Sequence, residues 1–179
     1  MKKRKTTKTK KLSKSAPPSK AIKEGIMLKV GDKAPSFHLQ ADDGNDVSLA
    51  DLKGKAVVVY FYPRAMTPGC TLETQNFRDL KAQFDKAGAV ILGISGDSVE
   101  AQHKFHDKEK VNFALLSDTG FSAIEAYDAR RMKSFLGKTF LGIVRSTFLI
   151  DRQGRIAQIW DKVKVKGHAE EVLDAVKKL

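Results

Sequence analysis

Cysteine is almost missing from this chain: Cys70 is the only one among 179 residues. An internal disulfide framework is thereby excluded, and a reducing compartment is the natural setting. The Cys-x-x-Cys pair typical of general disulfide oxidoreductases is excluded with it. No apolar stretch approaches the roughly 20 residues that cross a bilayer, and the N-terminus lacks the apolar segment of a secretory signal. The four histidines, His38, His103, His106 and His168, show no metal-ligand spacing with one another or with Cys70, so they read as surface or helix residues. Phosphate-cradling glycine patterns are absent too. The expectation is a protein with no metal, no organic cofactor and no membrane contact.

Acidic residues are also missing from one end. Ten of the 33 Lys and Arg lie in residues 1–23 with no Asp or Glu beside them, leaving 23 basic against 21 acidic residues from Glu24 onward. The net charge of +12 is therefore mostly a property of the N-terminal segment. With Pro17-Pro18 and many Ser and Thr, that segment has too little apolar surface to offset its ordering entropy. Residues 1–25 are expected to be a basic disordered tail, and residues 26–179 a single domain. The tail suits a solvated extension, weak nucleic-acid contact by counterion release, or an import address. Its basic residues are nine Lys to one Arg, a poor match to a mitochondrial transit peptide. The expected location is cytoplasmic, with nuclear or organellar import through this segment as the alternative.

From Val30 the pattern is that of a conventional α/β domain. Phe37-His38-Leu39-Gln40, a turn at Asp42-Asp43-Gly44-Asn45 and Asp46-Val47-Ser48 read as an opening hairpin. The run from Ala56 to Tyr62 is apolar throughout, short and rich in Val and aromatics, which marks a central strand buried on both faces. Between Thr71 and Lys86, Phe77, Leu80 and Phe84 recur at helical spacing, and Gly88 is a natural stop. A strand at Ala89–Ile94 and a helix from Ser98 to about Lys110 follow, with Ser98 as N-cap. Ser117-Asp118 then opens a short helix through Tyr127. Val144–Ile150 reads as another strand, turning at Asp151-Arg152-Gln153-Gly154 into Arg155–Trp160, and His168–Leu179 as a closing helix with Ala169, Val172, Leu173 and Val176 on one face. Helix crossovers followed by a hairpin imply a central mixed sheet flanked by helices, with an N-terminal hairpin extension.

Cys70 stands where the central strand gives way, through Pro63-Arg64-Ala65-Met66-Thr67-Pro68-Gly69, to a helix. Unpaired N–H groups and the positive end of the helix dipole converge there and favour thiolate over thiol. A lone cysteine is ordinarily a small buried hydrophobe. Here Thr67, Pro68, Gly69 and Thr71 are loop and cap residues rather than core packing, which favours a reactive sulfur.

The motif Pro63-x-x-x-Thr67-x-x-Cys70, extended as Thr67-Pro68-Gly69-Cys70-Thr71-x-Glu73, resembles the active-site signature of the peroxiredoxins, and its Thr-Pro-Gly-Cys-Thr form resembles the peroxiredoxin Q, or bacterioferritin comigratory protein, subgroup. The resemblance spans about residues 28 to 178. It implies a thioredoxin-like fold and a thiol-dependent peroxidase acting on hydrogen peroxide or alkyl hydroperoxides. Such chemistry needs an ionised sulfur, and the resemblance implies that Arg145, from Arg145-x-Thr147-Phe148-x-Ile150-Asp151, supplies the cation; otherwise it reads as a surface or salt-bridging arginine. The leaving oxygen must be stabilised, a task that falls to the Thr67 hydroxyl and the Gly69 and Cys70 amides. Thr67 can equally be a helix N-cap. Pro63 and Pro68 offer rigid apolar walls, though prolines in a loop are by default turn formers. Glu73 reads as structural or as an arginine partner.

Oxidation of Cys70 yields a sulfenic acid that must be removed before overoxidation. The resolving cysteine of many subgroup members is replaced here by Gln75 and His106, which makes this a one-cysteine type. An external thiol such as thioredoxin, glutaredoxin or glutathione is then the expected reductant, through a mixed disulfide. A monomer is expected. The competing reading is a peroxide sensor or nucleic-acid-associated redox protein that uses the basic tail without efficient turnover.

Overall fold

Every residue of β3 (Ala56–Phe61) is buried, because the strand lies in the middle of the sheet with side chains packed above and below it. It pairs in parallel with β4 (Ala89–Ser95) and antiparallel with β8 (Ser146–Ile150). The computed structural model describes residues 25–179; the basic segment, with the disorder, partners and targeting expected of it, lies outside the described residues. β1 (His38–Ala41), β2 (Asp46–Ser48), β5 (Ala114–Ser117) and β9 (Ile156–Trp160) complete a seven-stranded mixed sheet in the order β2-β1-β5-β4-β3-β8-β9. The opening hairpin is thus the edge of the central sheet, joined to it through β1 and β5.

Helices cover both faces. On one, Phe77 and Phe84 of α1 (Pro68–Lys86), Phe105 of α2 (Val99–Glu109) and Ala169, Val172, Leu173 and Val176 of α4 (His168–Val176) pack with Val58, Tyr60 and Ile91. Fully burying each such large side chain contributes on the order of 1.5–3 kcal/mol. On the other, α3 (Ser122–Ala126) packs Ala123 and Ile124 against Val57, Val59 and Phe148. Ser98 caps α2 by accepting from the Ala101 N–H. Gly88 follows α1 at φ +73°, a left-handed conformation that glycine adopts without steric cost. No helix among the described residues is long and apolar enough to cross a membrane.

Three elements differ from the sequence expectation. The strand expected from Val144 starts at Ser146, because the Val144 N–H bonds the Ala129 carbonyl and the Arg145 carbonyl accepts from Val163 N–H. The helix expected at Ser117-Asp118 starts at Ser122, with the Asp118 carboxylate accepting from the Ser122 and Ile124 N–H groups. A second, two-stranded sheet was not foreseen at all: β6 (Arg130–Phe135) and β7 (Lys138–Ile143) form an antiparallel ribbon. Its turn is Leu136-Gly137, both at positive φ, the geometry of a tight hairpin whose usual Asn-Gly signal is missing.

Candidate active site

β3 ends at Phe61, and the loop Tyr62–Thr67 carries the chain to α1, where Pro68 takes the first helical position. Proline suits that position because its fixed φ is already helical and no N–H is wanted there. The Thr71 N–H bonds the Thr67 carbonyl, so the amides of Gly69 and Cys70 point out of the helix start with no carbonyl of the preceding turn to accept them. Cys70 itself is 1% exposed and shares a buried cluster with Tyr60, Tyr62, Ala65 and Phe77. The expectation that its neighbours hold it out of core packing is corrected here: the helix start turns the sulfur inward, while Gly69 beside it is exposed.

The tertiary structure brings Arg145 to this sulfur. Nη2 lies 3.3 Å from Cys70 Sγ as a hydrogen-bond donor, and Nη1 donates to Oε2 of Glu73. Gly69 admits the guanidinium, since a Cβ there would lie 3.2 Å from Nη2. Burial works against the charge of Arg145, but the Glu73 carboxylate and the Cys70 sulfur outweigh it and hold the guanidinium above its ordinary value. Burial likewise pushes the Glu73 carboxyl up to about 7, more strongly than Arg145 pulls it down. Its second oxygen, Oε1, is buried without a hydrogen-bond partner. One cation is thus shared between a sulfur and a carboxyl group that is only partly satisfied.

Thr67 occupies the N-cap position with half-buried side chain, but its hydroxyl makes no capping bond; it donates to the Arg64 carbonyl at 2.9 Å. That corrects the expectation of a hydroxyl free to donate: its proton is committed and its oxygen remains as an acceptor. Pro63 is half-buried in the same loop. Met66 sits at φ +62°, a conformation that costs a non-glycine residue on the order of 1 kcal/mol. The loop is held against this strain from below. Asp97 Oδ2 accepts from the Ala65 N–H and from Ser95 Oγ, Gln102 Nε2 donates to Ser95 Oγ and to the Leu116 carbonyl, and the Tyr62 hydroxyl donates to Gln102 Oε1.

Sequence reasoning missed this network; its only signal there is the Tyr62 hydroxyl closing the otherwise apolar run that begins at Ala56. Tyr60 bonds Thr74 at 3.0 Å, and burial pushes both phenols well above their ordinary range. His168 is a helix residue, as expected, but departs from the expectation of a surface one. It is buried at the start of α4, its Nε2 is 2.8 Å from Thr147 Oγ1, and burial pushes its imidazole down to about 4. Neither position where a resolving cysteine would stand carries a thiol: Gln75 donates to Glu109, and His106 Nδ1 lies 2.9 Å from an Asp42 carboxylate oxygen without making a hydrogen bond to it. No group of three or more His, Cys, Asp or Glu among the described residues is arranged to hold a metal ion.

Residues 30–159 match the model of the AhpC/TSA family. The chain is 47% identical over 152 residues to peroxiredoxin Bcp of Bacillus subtilis, covering 85% of this chain and 97% of that protein. It is 51% identical over 148 residues to a protein of Coxiella burnetii named putative peroxiredoxin bcp, covering 83% and 98%. Among solved structures it is similar to the bacterioferritin comigratory protein of Xanthomonas campestris, studied for its alkyl peroxide reduction activity through trapped intermediate and ligand complexes. The identity is 41%, the TM-score 0.79, and the coverage 86% of this chain and 98% of that one.

Proposed function

The chain belongs to the AhpC/TSA family, in its peroxiredoxin Q or bacterioferritin comigratory subgroup, and is a thiol-dependent peroxidase; from that premise we propose that Cys70 is the nucleophile that reduces hydrogen peroxide and alkyl hydroperoxides. The observation that carries this is the Arg145 guanidinium within hydrogen-bonding distance of a sulfur at a helix N-terminus. Both features stabilise the anion, and both remain in place as charge moves to oxygen, so no reorganisation is needed during the reaction.

The Cys70 thiolate attacks the nearer peroxide oxygen, forming an S–O bond as the O–O bond breaks. The peroxide O–H becomes the sulfenic acid on Cys70, and the departing oxygen takes up from solvent the proton that Cys70 released on ionising, leaving as water or alcohol. Arg145 and the Gly69 and Cys70 amides are the donors to the departing oxygen. Thr67 Oγ1, whose own proton goes to Arg64, accepts the peroxide O–H and fixes its orientation. Pro63 walls the loop side of the substrate.

A free thiol then condenses with the sulfenic acid, releasing water and forming a mixed disulfide, and a second thiol displaces Cys70 as thiolate. With no second cysteine in the sequence, both thiols come from outside: thioredoxin, glutaredoxin or glutathione. Residues 26–179 form the catalytic domain, working as a monomer in the cytoplasm.

Intact-mass measurement after one equivalent of peroxide, followed by thiol, tests the scheme. A gain of one oxygen, reversed by thiol and lost in Cys70→Ser, is the expected result. Undiminished peroxide turnover in Cys70→Ser would refute it.

A further inference from the structure

We propose that the β6–β7 ribbon is the docking surface for a protein dithiol reductant with an apolar, acidic face, an inference that rests on recycling of Cys70 by an external thiol. Half of the large apolar side chains exposed among the described residues lie on this ribbon: Met132, Phe135, Leu136, Phe140 and Leu141, with Leu136 85% exposed. Two-stranded ribbons are marginal in water on their own, and exposed apolar clusters of this kind mark interaction surfaces. Both faces carry apolar groups. The paired Met132 and Leu141 lie on one, and Phe140 and Phe135 on the other.

The position of the ribbon selects the occupant. Its base is fixed to the domain by Arg131, which is 2% exposed and forms a two-pronged ion pair with Asp161. Val144 N–H closes the root on the Ala129 carbonyl, and the next residue is Arg145, the donor to Cys70 Sγ. Two more of the exposed apolar side chains, Met66 and Leu72, flank Cys70 in sequence, four residues before it and two after. A dithiol partner must bring its sulfur into bonding contact with Cys70, so its surface meets the helix start and the root of the ribbon, where Arg145 follows Val144.

Charge narrows the choice further. Residues 130–143 contain Arg130, Arg131, Lys133 and Lys138 and no acidic residue. Arg130 and Arg131 are already paired with Glu125 and Asp161. The exposed Lys138 remains at the tip to meet an acidic partner. A second copy of this domain, nearly neutral overall and presenting the same lysine, lacks that complementarity.

The test compares peroxide turnover supported by dithiothreitol with turnover supported by thioredoxin and its reductase. Leu136→Asn creates an Asn-Gly turn suited to the positive φ of both residues, and Phe135→Thr keeps strand propensity, so the double variant removes apolar surface without disfavouring the ribbon. The expected result is a fall of about tenfold in kcat/KM for thioredoxin, with dithiothreitol-supported turnover unchanged. Lys138→Glu lowers the thioredoxin value again, and added salt lowers the wild-type value towards it.

Equal losses with both reductants, no loss with thioredoxin, or wild-type turnover with dithiothreitol but none with thioredoxin would each overturn the proposal. So would a wild-type dimer in sedimentation that the double variant dissolves, or a loss confined to alkyl hydroperoxides. Failure of the wild type with dithiothreitol as well would instead remove the peroxidase reading beneath it.

Discussion

Arg145 holds Cys70 and Glu73 with different nitrogens of one guanidinium: Nη2 donates to the sulfur at 3.3 Å and Nη1 to the carboxyl. The two bonds define how much cation the sulfur receives. Replacing Arg145 with Ala removes both, and the second-order rate of Cys70 oxidation by peroxide, followed by stopped flow, is expected to fall by about 10²- to 10³-fold. Arg145→Lys recovers only a minor part, because an ammonium cannot present two parallel donors in fixed geometry. Full activity in Arg145→Lys would show that charge alone suffices.

Glu73 and His168 give stability opposite pH slopes. Folded Glu73 keeps its proton up to about 7, whereas the unfolded carboxyl loses it near 4.5, so between these values stability falls as pH rises. His168 is protonated only near 4 when folded but near 6.5 when unfolded, so between these values stability is lost as pH falls. The slopes oppose one another between about 4.5 and 6.5, each bounded by about 1.4 kcal/mol per pH unit. Chemical denaturation across this range is expected to show a flatter wild-type profile than either variant. Glu73→Gln exposes the rise with pH and His168→Gln the fall; parallel profiles in all three would contradict the assignment.

Asp97 is the acceptor that ties Ala65 of the loop to Ser95 at the end of β4. In Asp97→Ala the Ala65 N–H and the Ser95 hydroxyl lose that partner, and a loop already strained at Met66 is released. Peroxide reactivity is expected to drop by about tenfold, with amide exchange accelerating at 62–70 and not at Ile91. Unchanged exchange in the loop would mean the carboxylate does not hold it.

Gly93 is a packing requirement of the sheet. A Cβ there would approach Tyr60 Oη at 2.6 Å and Leu115 Cδ2 at 2.9 Å, so Gly93→Ala must displace the tyrosine that bonds Thr74 behind the active helix. The expected cost is about 1–3 kcal/mol, measured by urea denaturation, with a smaller loss of peroxide reactivity. Wild-type stability in this variant would show that Tyr60 has room to move.

The elements with strong local patterns were legible before folding. Phe77, Leu80 and Phe84 recur at the helical period, Ser98 caps α2, and the Val-rich run at 56–61 has no face that tolerates water. The β6–β7 ribbon was not legible, because its strands bury little and thus show no clean alternation, and its turn uses Leu136 where Asn is usual. At the site, Pro68-Gly69-Cys70 announces a sulfur at a helix start by local chemistry alone. The inward turn of that sulfur, the commitment of the Thr67 proton to Arg64 and the chain from Tyr62 through Gln102 and Ser95 to Asp97 depend on neighbours that local pattern does not specify.

By itself, the sequence determined which atom can react, since one cysteine leaves no choice, and that the atom opens a helix, since proline and glycine place it there. Its surroundings were decided by the tertiary structure. The antiparallel pairing of β3 with β8 brings residue 145 beside residue 70, and seclusion from water gives both the shared guanidinium and the displaced titrations of Glu73 and His168. Such contacts are long-range, so no local pattern of residue types records them.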